Sequence, residues 1–181
     1  MNADPFFFTA LRRRLLAIEG LYIVLVTGRA EYETVKASVG QDATADDARF
    51  VVLEYVDDMG SAIRAADLVV GRAGATSIAE LTVLGAPCVL VPYPYATDDH
   101  QTKNARSMVD RGAAVLVRDD ELDDQRFGDE VVRLLLDPEQ RASMAAASLA
   151  LGRRDATAGV IRLAREAAGK DRDPQVGDAR D

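Results

Sequence analysis

Between Ala66 and Asn104 the chain reads ADLVVGRAGATSIAELTVLGAPCVLVPYPYATDDHQTKN, and that order of segments leaves few folds open. Leu68, Val69 and Val70 form a short continuous apolar run between Asp67 and Gly71, the pattern of a buried strand in a parallel sheet. A sharp turn through Gly71, Arg72, Ala73 and Gly74 follows, then a helix from about Thr76 to Leu84. Cys88, Val89, Leu90 and Val91 make a second buried run, bracketed by Pro87 and Pro92, and it ends in the polar loop Tyr93 to Gln101.

The flanking sequence continues the alternation. It predicts a helix from about Pro5 to Ile18, a strand Tyr22 to Val26, a helix Ala30 to Val39, a strand Phe50 to Leu53 and a short helix Met59 to Ala65. After the central segment come a helix Gln101 to Arg111, a strand Ala114 to Val117, and helices near Gln125 to Leu136, Pro138 to Leu149 and Ala156 to Ala168. Strands alternating with helices of this length imply an α/β fold, a Rossmann-like parallel sheet with helices on both faces. Gly28 ends the first strand at a turn, but Thr27-Gly28-Arg29-Ala30 is no dinucleotide fingerprint.

The central turn has the makings of a binding site. Gly74, Ala75, Thr76 and Ser77 lie where free backbone N–H groups and the positive end of a helix dipole face solvent, a place suited to a diphosphate. Small side chains at Gly74 and Ala75 let an anion approach the backbone, and Thr76 and Ser77 offer hydroxyls. Glu80 follows Thr76 by four residues and Ser77 by three, so a helix puts all three on one face. A carboxylate there can accept hydrogen bonds from two neighbouring ribose hydroxyls. An ordinary helix start followed by a solvated glutamate accounts for the same residues. The loop after the second strand bears on the choice, because ligands of open α/β sheets bind beyond the carboxyl ends of strands.

The motifs together resemble the C-terminal, donor-binding half of the MurG-type glycosyltransferases, a GT-B architecture. The residues that carry the resemblance are Tyr55-Val56-Asp57-Asp58-Met59, the segment Ala66 to Glu80, Gly85-Ala86-Pro87, and Asp98-Asp99-His100-Gln101-Thr102-Lys103-Asn104-Ala105. The resemblance covers roughly Leu11 to Ala168. It implies transfer of N-acetylglucosamine from UDP to the lipid-linked muramoyl-peptide precursor of peptidoglycan, with inversion and without a cofactor or metal. It also implies that Gly74, Ala75, Thr76 and Ser77 hold the UDP diphosphate, with Arg72 beside them, that Glu80 holds the ribose, and that Met59 lines the uracil pocket. Gln101, with His100 and Asn104 nearby, would contact the sugar. No catalytic residue is expected in this chain, since in the family the base comes from the other domain.

The family's acceptor-binding half has no counterpart here, and Met1 to Ala10 stands where its glycine-rich GGSxGA loop would open the donor half. Residues 1–168 are therefore expected to form a UDP-sugar-binding domain with an atypical start at 1–10, completed by an acceptor half supplied elsewhere. Two other readings stay open: a catalytically silent UDP-sugar-binding module, and one subunit of a split glycosyltransferase with another acceptor. A sugar-nucleotide 2-epimerase ranks last, because its paired-glycine, paired-glutamate loop is absent. The tail 169–181, charged with Gly and Pro and without apolar period, is expected to be disordered.

With 181 residues and 48% hydrophobic residues, one packed core is expected. A net charge of −8 argues against nucleic-acid binding. The single cysteine, Cys88, excludes an internal disulfide and reads as a small core residue. No apolar stretch approaches a membrane span, so a cytoplasmic protein is expected, at the inner face of the plasma membrane if it follows its family. Phe6-Phe7-Phe8 followed by Arg12-Arg13-Arg14 could form an interfacial patch for an anionic membrane or a partner subunit; the favoured reading packs the aromatics under the sheet and makes the arginines a helix face. Five Asp-Asp pairs, Asp46-Asp47, Asp57-Asp58, Asp98-Asp99, Asp119-Asp120 and Asp123-Asp124, invite a magnesium reading, but such pairs are common in loops and at helix starts.

Overall fold

The computed structural model describes residues 5–40, 48–122 and 124–168. Its elements alternate as α1 (Pro5–Leu16), β1 (Ile23–Val26), α2 (Tyr32–Gly40), β2 (Phe50–Leu53), α3 (Met59–Ala65), β3 (Val69–Gly71), α4 (Ala75–Leu84), β4 (Cys88–Leu90), α5 (His100–Val109), β5 (Ala114–Leu116), α6 (Asp124–Leu136), α7 (Pro138–Leu151) and α8 (Ala156–Ala167). All strand pairings are parallel, and they form two hydrogen-bonded groups, β1-β2 and β3-β4-β5.

The apolar run at β4 explains the layers. In a strand, side chains alternate between faces, so a run buried on both sides needs cover on both. Cys88 and Leu90 point into one core with Ile63 of α3, Leu81 of α4 and Ala105 and Met108 of α5. Val89 and Val91 point into another with Leu11 and Leu15 of α1, Phe127, Val131 and Leu134 of α6, and Met144 of α7. Leu90, Leu134, Met108 and Met144 are among the largest fully buried side chains, each worth roughly 1.5–3 kcal/mol relative to exposure. The expected single core is thus two, one on each face of the strand.

Helix ends follow local chemistry. Gly85 closes α4 in the left-handed region at φ 69°, with Ala86 N–H donating to Leu81 O at 3.0 Å, a Schellman end that only glycine takes without strain. Leu149 of α7 lies against that glycine; a Cβ there would stand 2.4 Å from its Cγ. Ser148 Oγ, buried, donates to Leu81 O at 3.2 Å. The first helix stops at Leu16 rather than Ile18, and Arg49 satisfies the carbonyls of both residues at 2.9 and 3.1 Å.

The basic cluster is divided rather than forming one helix face. Arg12 is buried, donates to Val39 O at 3.2 Å and lies 5.2 Å from the Phe50 ring centroid, whereas Arg14 pairs with Asp129 near the surface. Phe6, Phe7 and Phe8 belong to α1, but their side chains lie outside the described residues, as do the tail 169–181 and the pair Asp46-Asp47. Among the described residues no helix is long and apolar enough to cross a membrane.

Candidate functional site

The carboxyl ends of β3, β4 and β5 meet at one edge, and the loops leaving them carry most of the candidate residues. Gly74 begins α4 with extended backbone, φ −64° and ψ 150°, and no side chain caps the helix. Helical geometry leaves the first N–H groups without an intrahelical acceptor, the first such bond here being Ile78 N–H to Gly74 O at 2.9 Å. Ala75, Thr76 and Ser77 are exposed, as is Glu80 one turn on. The turn is therefore an open, uncapped donor surface with a carboxylate on the same helix.

Gln101 and Asn104 hold that turn in place. The Gln101 Oε1 accepts from Ala73 N–H at 3.2 Å and from Tyr93 N–H at 3.0 Å, and Asn104 Nδ2 donates to Ala73 O at 3.0 Å. Ala73 is fully buried, so its peptide needs protein partners, and α5 provides both. The loop after β3 and the loop after β4 are thereby tied through one amide side chain.

Arg72 turns inward. One guanidinium nitrogen donates to Val91 O at 3.2 Å, Pro92 O at 3.1 Å and Asp119 Oδ1 at 2.5 Å, and the group lies 5.5 Å from the Tyr93 ring centroid. Its Nε is buried with no hydrogen-bond partner. Arg72 thus joins the ends of β3, β4 and β5, and Asp119 and Tyr93 enter the site through it. Sequence reasoning noted Asp119 only as one of several paired aspartates. The usable signal was position: both Tyr93 and Asp119 follow closely on a buried strand.

Met59 opens α3 and packs against the core that contains Leu81. Asp58 caps that helix, accepting from Ser61 N–H at 2.9 Å and Ser61 Oγ at 2.6 Å; the hydroxyl bond, then the amide, hold its carboxyl below the usual aspartate value. His100 is exposed, with Nε2 3.9 Å from Asp98 Oδ2. Asp98 and Asp99 both take positive φ, 50° and 54°, which aspartate tolerates better than most residues. Asp120 binds Arg118 at 2.7 Å. These aspartates therefore have structural partners or turn conformations of their own, and among the described residues no group of three or more His, Cys, Asp or Glu is placed to hold a metal.

A cavity of about 470 Å³ opens on the β5 side of the Arg72–Asp119 pair, between Pro92, Tyr95, Asp99, Thr102, Arg118 and Asp119. Ala75, Thr76, Ser77 and Glu80 do not line it. The helix turn is a surface beside a cavity.

The sequence pattern of the glycosyltransferase family 28 C-terminal domain matches residues 9–160, a span that includes every loop just described. The chain belongs to this family. Two similar proteins are the UDP-N-acetylglucosamine–N-acetylmuramyl-(pentapeptide) pyrophosphoryl-undecaprenol N-acetylglucosamine transferases of Desulforamulus reducens, 39% identical over 146 residues, and Chlorobium phaeobacteroides, 43% identical over 147. The matches cover 80% and 79% of this chain but 39% of each relative. This family member thus spans about two-fifths of the length of those relatives. Among solved structures it resembles Acinetobacter baumannii MurG, with TM-score 0.72, 28% identity, and coverage of 87% of this chain and 46% of that one. A putative UDP-N-acetylglucosamine 2-epimerase from Listeria monocytogenes shares the fold, with TM-score 0.69 at 19% identity and coverage of 95% of this chain and 43% of that one.

Proposed function

We propose that this family 28 domain binds UDP-N-acetylglucosamine and serves as the donor half of an inverting transferase acting on a lipid-linked muramoyl-pentapeptide, working together with an acceptor-binding half. The observation that carries this reading is the identity of about two-fifths to transferases of that name across the very segment that builds the site. The open first turn of α4 supports it physically, since uncapped N–H groups and the helix dipole favour a diphosphate.

In this reading Ala75, Thr76 and Ser77 receive the diphosphate. As the bond from the anomeric carbon to the diphosphate oxygen breaks, negative charge grows on the leaving UDP, and fixed donors stabilise it without reorganising. Glu80 accepts from the ribose hydroxyls, and Met59 borders the base. Gln101 and Asn104 hold the Ala73 peptide and so keep the donor turn aligned, while His100 and the outward side of Gln101 meet the sugar. Orientation of the sugar is this half's contribution; removal of the acceptor's proton belongs to the other. The lipid-linked acceptor brings the working complex to a membrane surface.

Calorimetric titration with UDP-N-acetylglucosamine and with UDP tests the reading. Both should bind below millimolar concentration, and Glu80→Ala should weaken both by about 1–3 kcal/mol, the range for charge-assisted hydrogen bonds. A folded chain that binds neither, or a Glu80→Ala variant that binds both as well as the parent, would count against it.

A further inference from the structure

The cavity between the end of β4, α5 and the loop after β5 gathers groups that the binding of a nucleotide sugar leaves unused. α5 has two working faces. Gln101 and Asn104, three residues apart, turn to the Ala73 peptide, whereas Asp99, Thr102 and Arg106 line the cavity, as the 3.6-residue turn of a helix allows. The first turn of α5 therefore stands between the start of α4 and the cavity. The strand order β3-β4-β5 puts the two on opposite sides of it.

The lining suits a neutral, hydroxyl-rich ring. Arg118 is held in a fork by Asp120, at 2.9 and 2.7 Å, and Asp119 is neutralised by Arg72. Asp99 and Arg106 remain, without an ion-pair partner among the described residues, and seven residues of helical rise set them about 10 Å apart. Their charges cancel, so a free anion or cation is not favoured, while a carboxylate that accepts and a guanidinium that donates suit hydroxyl and acetamide groups. Tyr95 adds an apolar face. It is 83% exposed yet braced by Tyr93, the ring centroids 5.6 Å apart at 71°, and Tyr93 in turn meets the Arg72 guanidinium at 5.5 Å. A braced aromatic ring open to solvent beside convergent polar groups can receive the C–H face of a pyranose. The volume, about 470 Å³, lies within the roughly 300–1,000 Å³ of small-molecule sites.

We propose that this cavity is a subsite for the acceptor's own sugar, the N-acetylhexosamine ring of the muramoyl group, so that the donor half binds part of both substrates. The inference rests on the donor reading above. Inverting displacement needs the attacking hydroxyl opposite the leaving group. With the diphosphate on the first turn of α4 and the donor sugar at the start of α5, the cavity lies on that opposite side. The acceptor's hydroxyl oxygen bonds to the anomeric carbon as the bond to the diphosphate oxygen breaks and its electron pair leaves with UDP, and the hydroxyl proton passes to a base of the acceptor-binding half. Tyr95 stacks on the acceptor ring, Asp99 accepts from its hydroxyls and Arg106 donates to its acetamide or lactyl carbonyl.

The test titrates the ¹⁵N-labelled full chain, with and without saturating UDP, with the methyl glycoside of N-acetylmuramoyl-L-alanine amide, a soluble neutral piece of the acceptor. The amides of Tyr95, Thr102 and Arg118 should shift saturably, with Kd of about 1–10 mM for one small ring. Tyr95→Phe should keep that affinity and Tyr95→Ala should weaken it about five- to tenfold, while both variants bind UDP as the parent does, which separates a lost subsite from a lost fold. No saturable shift at the cavity residues would overturn the proposal, and with UDP binding intact the donor reading would still stand. Equal shifts with inorganic phosphate would overturn it in favour of an anion site, and unchanged affinity in Tyr95→Ala would overturn it by removing the stacking face. Glycoside binding to a chain that does not bind UDP would overturn the donor reading and the acceptor assignment with it.

Discussion

Replacing Gln101 by leucine removes an acceptor while keeping most of the side-chain volume, so it isolates the hydrogen bonds from any cavity. Two N–H groups lose their partner, that of Ala73 at 3.2 Å and that of Tyr93 at 3.0 Å. They are not equivalent. Ala73 is fully buried and its amide has no route to water, whereas Tyr93 is exposed and its amide can be solvated. An orphaned buried donor costs about 1–2 kcal/mol and a resolvated one about 0.5 kcal/mol, roughly 2 kcal/mol together. For a chain of this size each kcal/mol moves Tm by about 2–4 °C, so a fall of roughly 4–8 °C is expected in calorimetry. Gln101→Glu keeps an acceptor oxygen and should melt near the parent at neutral pH, while its added negative charge weakens binding of UDP. A Gln101→Leu variant that melts within about 1 °C of the parent would refute the bracing role.

Arg72→Met should lower stability by about 1–3 kcal/mol in urea unfolding, since it strands Asp119 and two carbonyls; the partial exposure of both side chains, 22% and 34%, keeps the loss at the lower end. Gly85→Ala forces a Cβ into the left-handed region and into Leu149, and should cost about 2–4 kcal/mol, part of it recovered when combined with Leu149→Ala. Burial pushes the Cys88 thiol up to about 12 from 9.0, so the folded chain should resist thiol reagents at pH 8 and react on denaturation. Between those two values the unfolded chain releases this proton and the folded chain keeps it, so this group makes stability fall as pH rises through the window, an effect Cys88→Ala should remove.

The strands at β3 and β4 were legible as short continuous apolar runs bounded by turn residues, although only β4 is buried throughout while Val70 of β3 is 39% exposed, and the start of α4 was legible because a small-residue turn after such a run has few alternatives. Side-chain direction was less accessible. Arg72 stands in the binding motif, yet its orientation depends on Asp119, 47 residues away, and on the carbonyls that end β4. The sequence position of Gln101 points to sugar hydroxyls, whereas its bonds to two loop amides arise only when α5 is docked. Arg12 looked like part of a basic face, but its long stem can be buried while the guanidinium bonds to Val39 O and lies over Phe50. The division of the ladder follows from which strands are neighbours, a relation that alternation of elements along the chain does not contain.

The central claim is that the first turn of α4 receives the diphosphate of a UDP-sugar, and amide resonances report on it most directly. In ¹⁵N-labelled chain titrated with UDP-N-acetylglucosamine, the N–H signals of Ala75, Thr76 and Ser77 should shift in a saturable way, with UDP reproducing the shifts and uridine failing to. Saturable shifts confined to other residues, or equal shifts with uridine, would contradict the account.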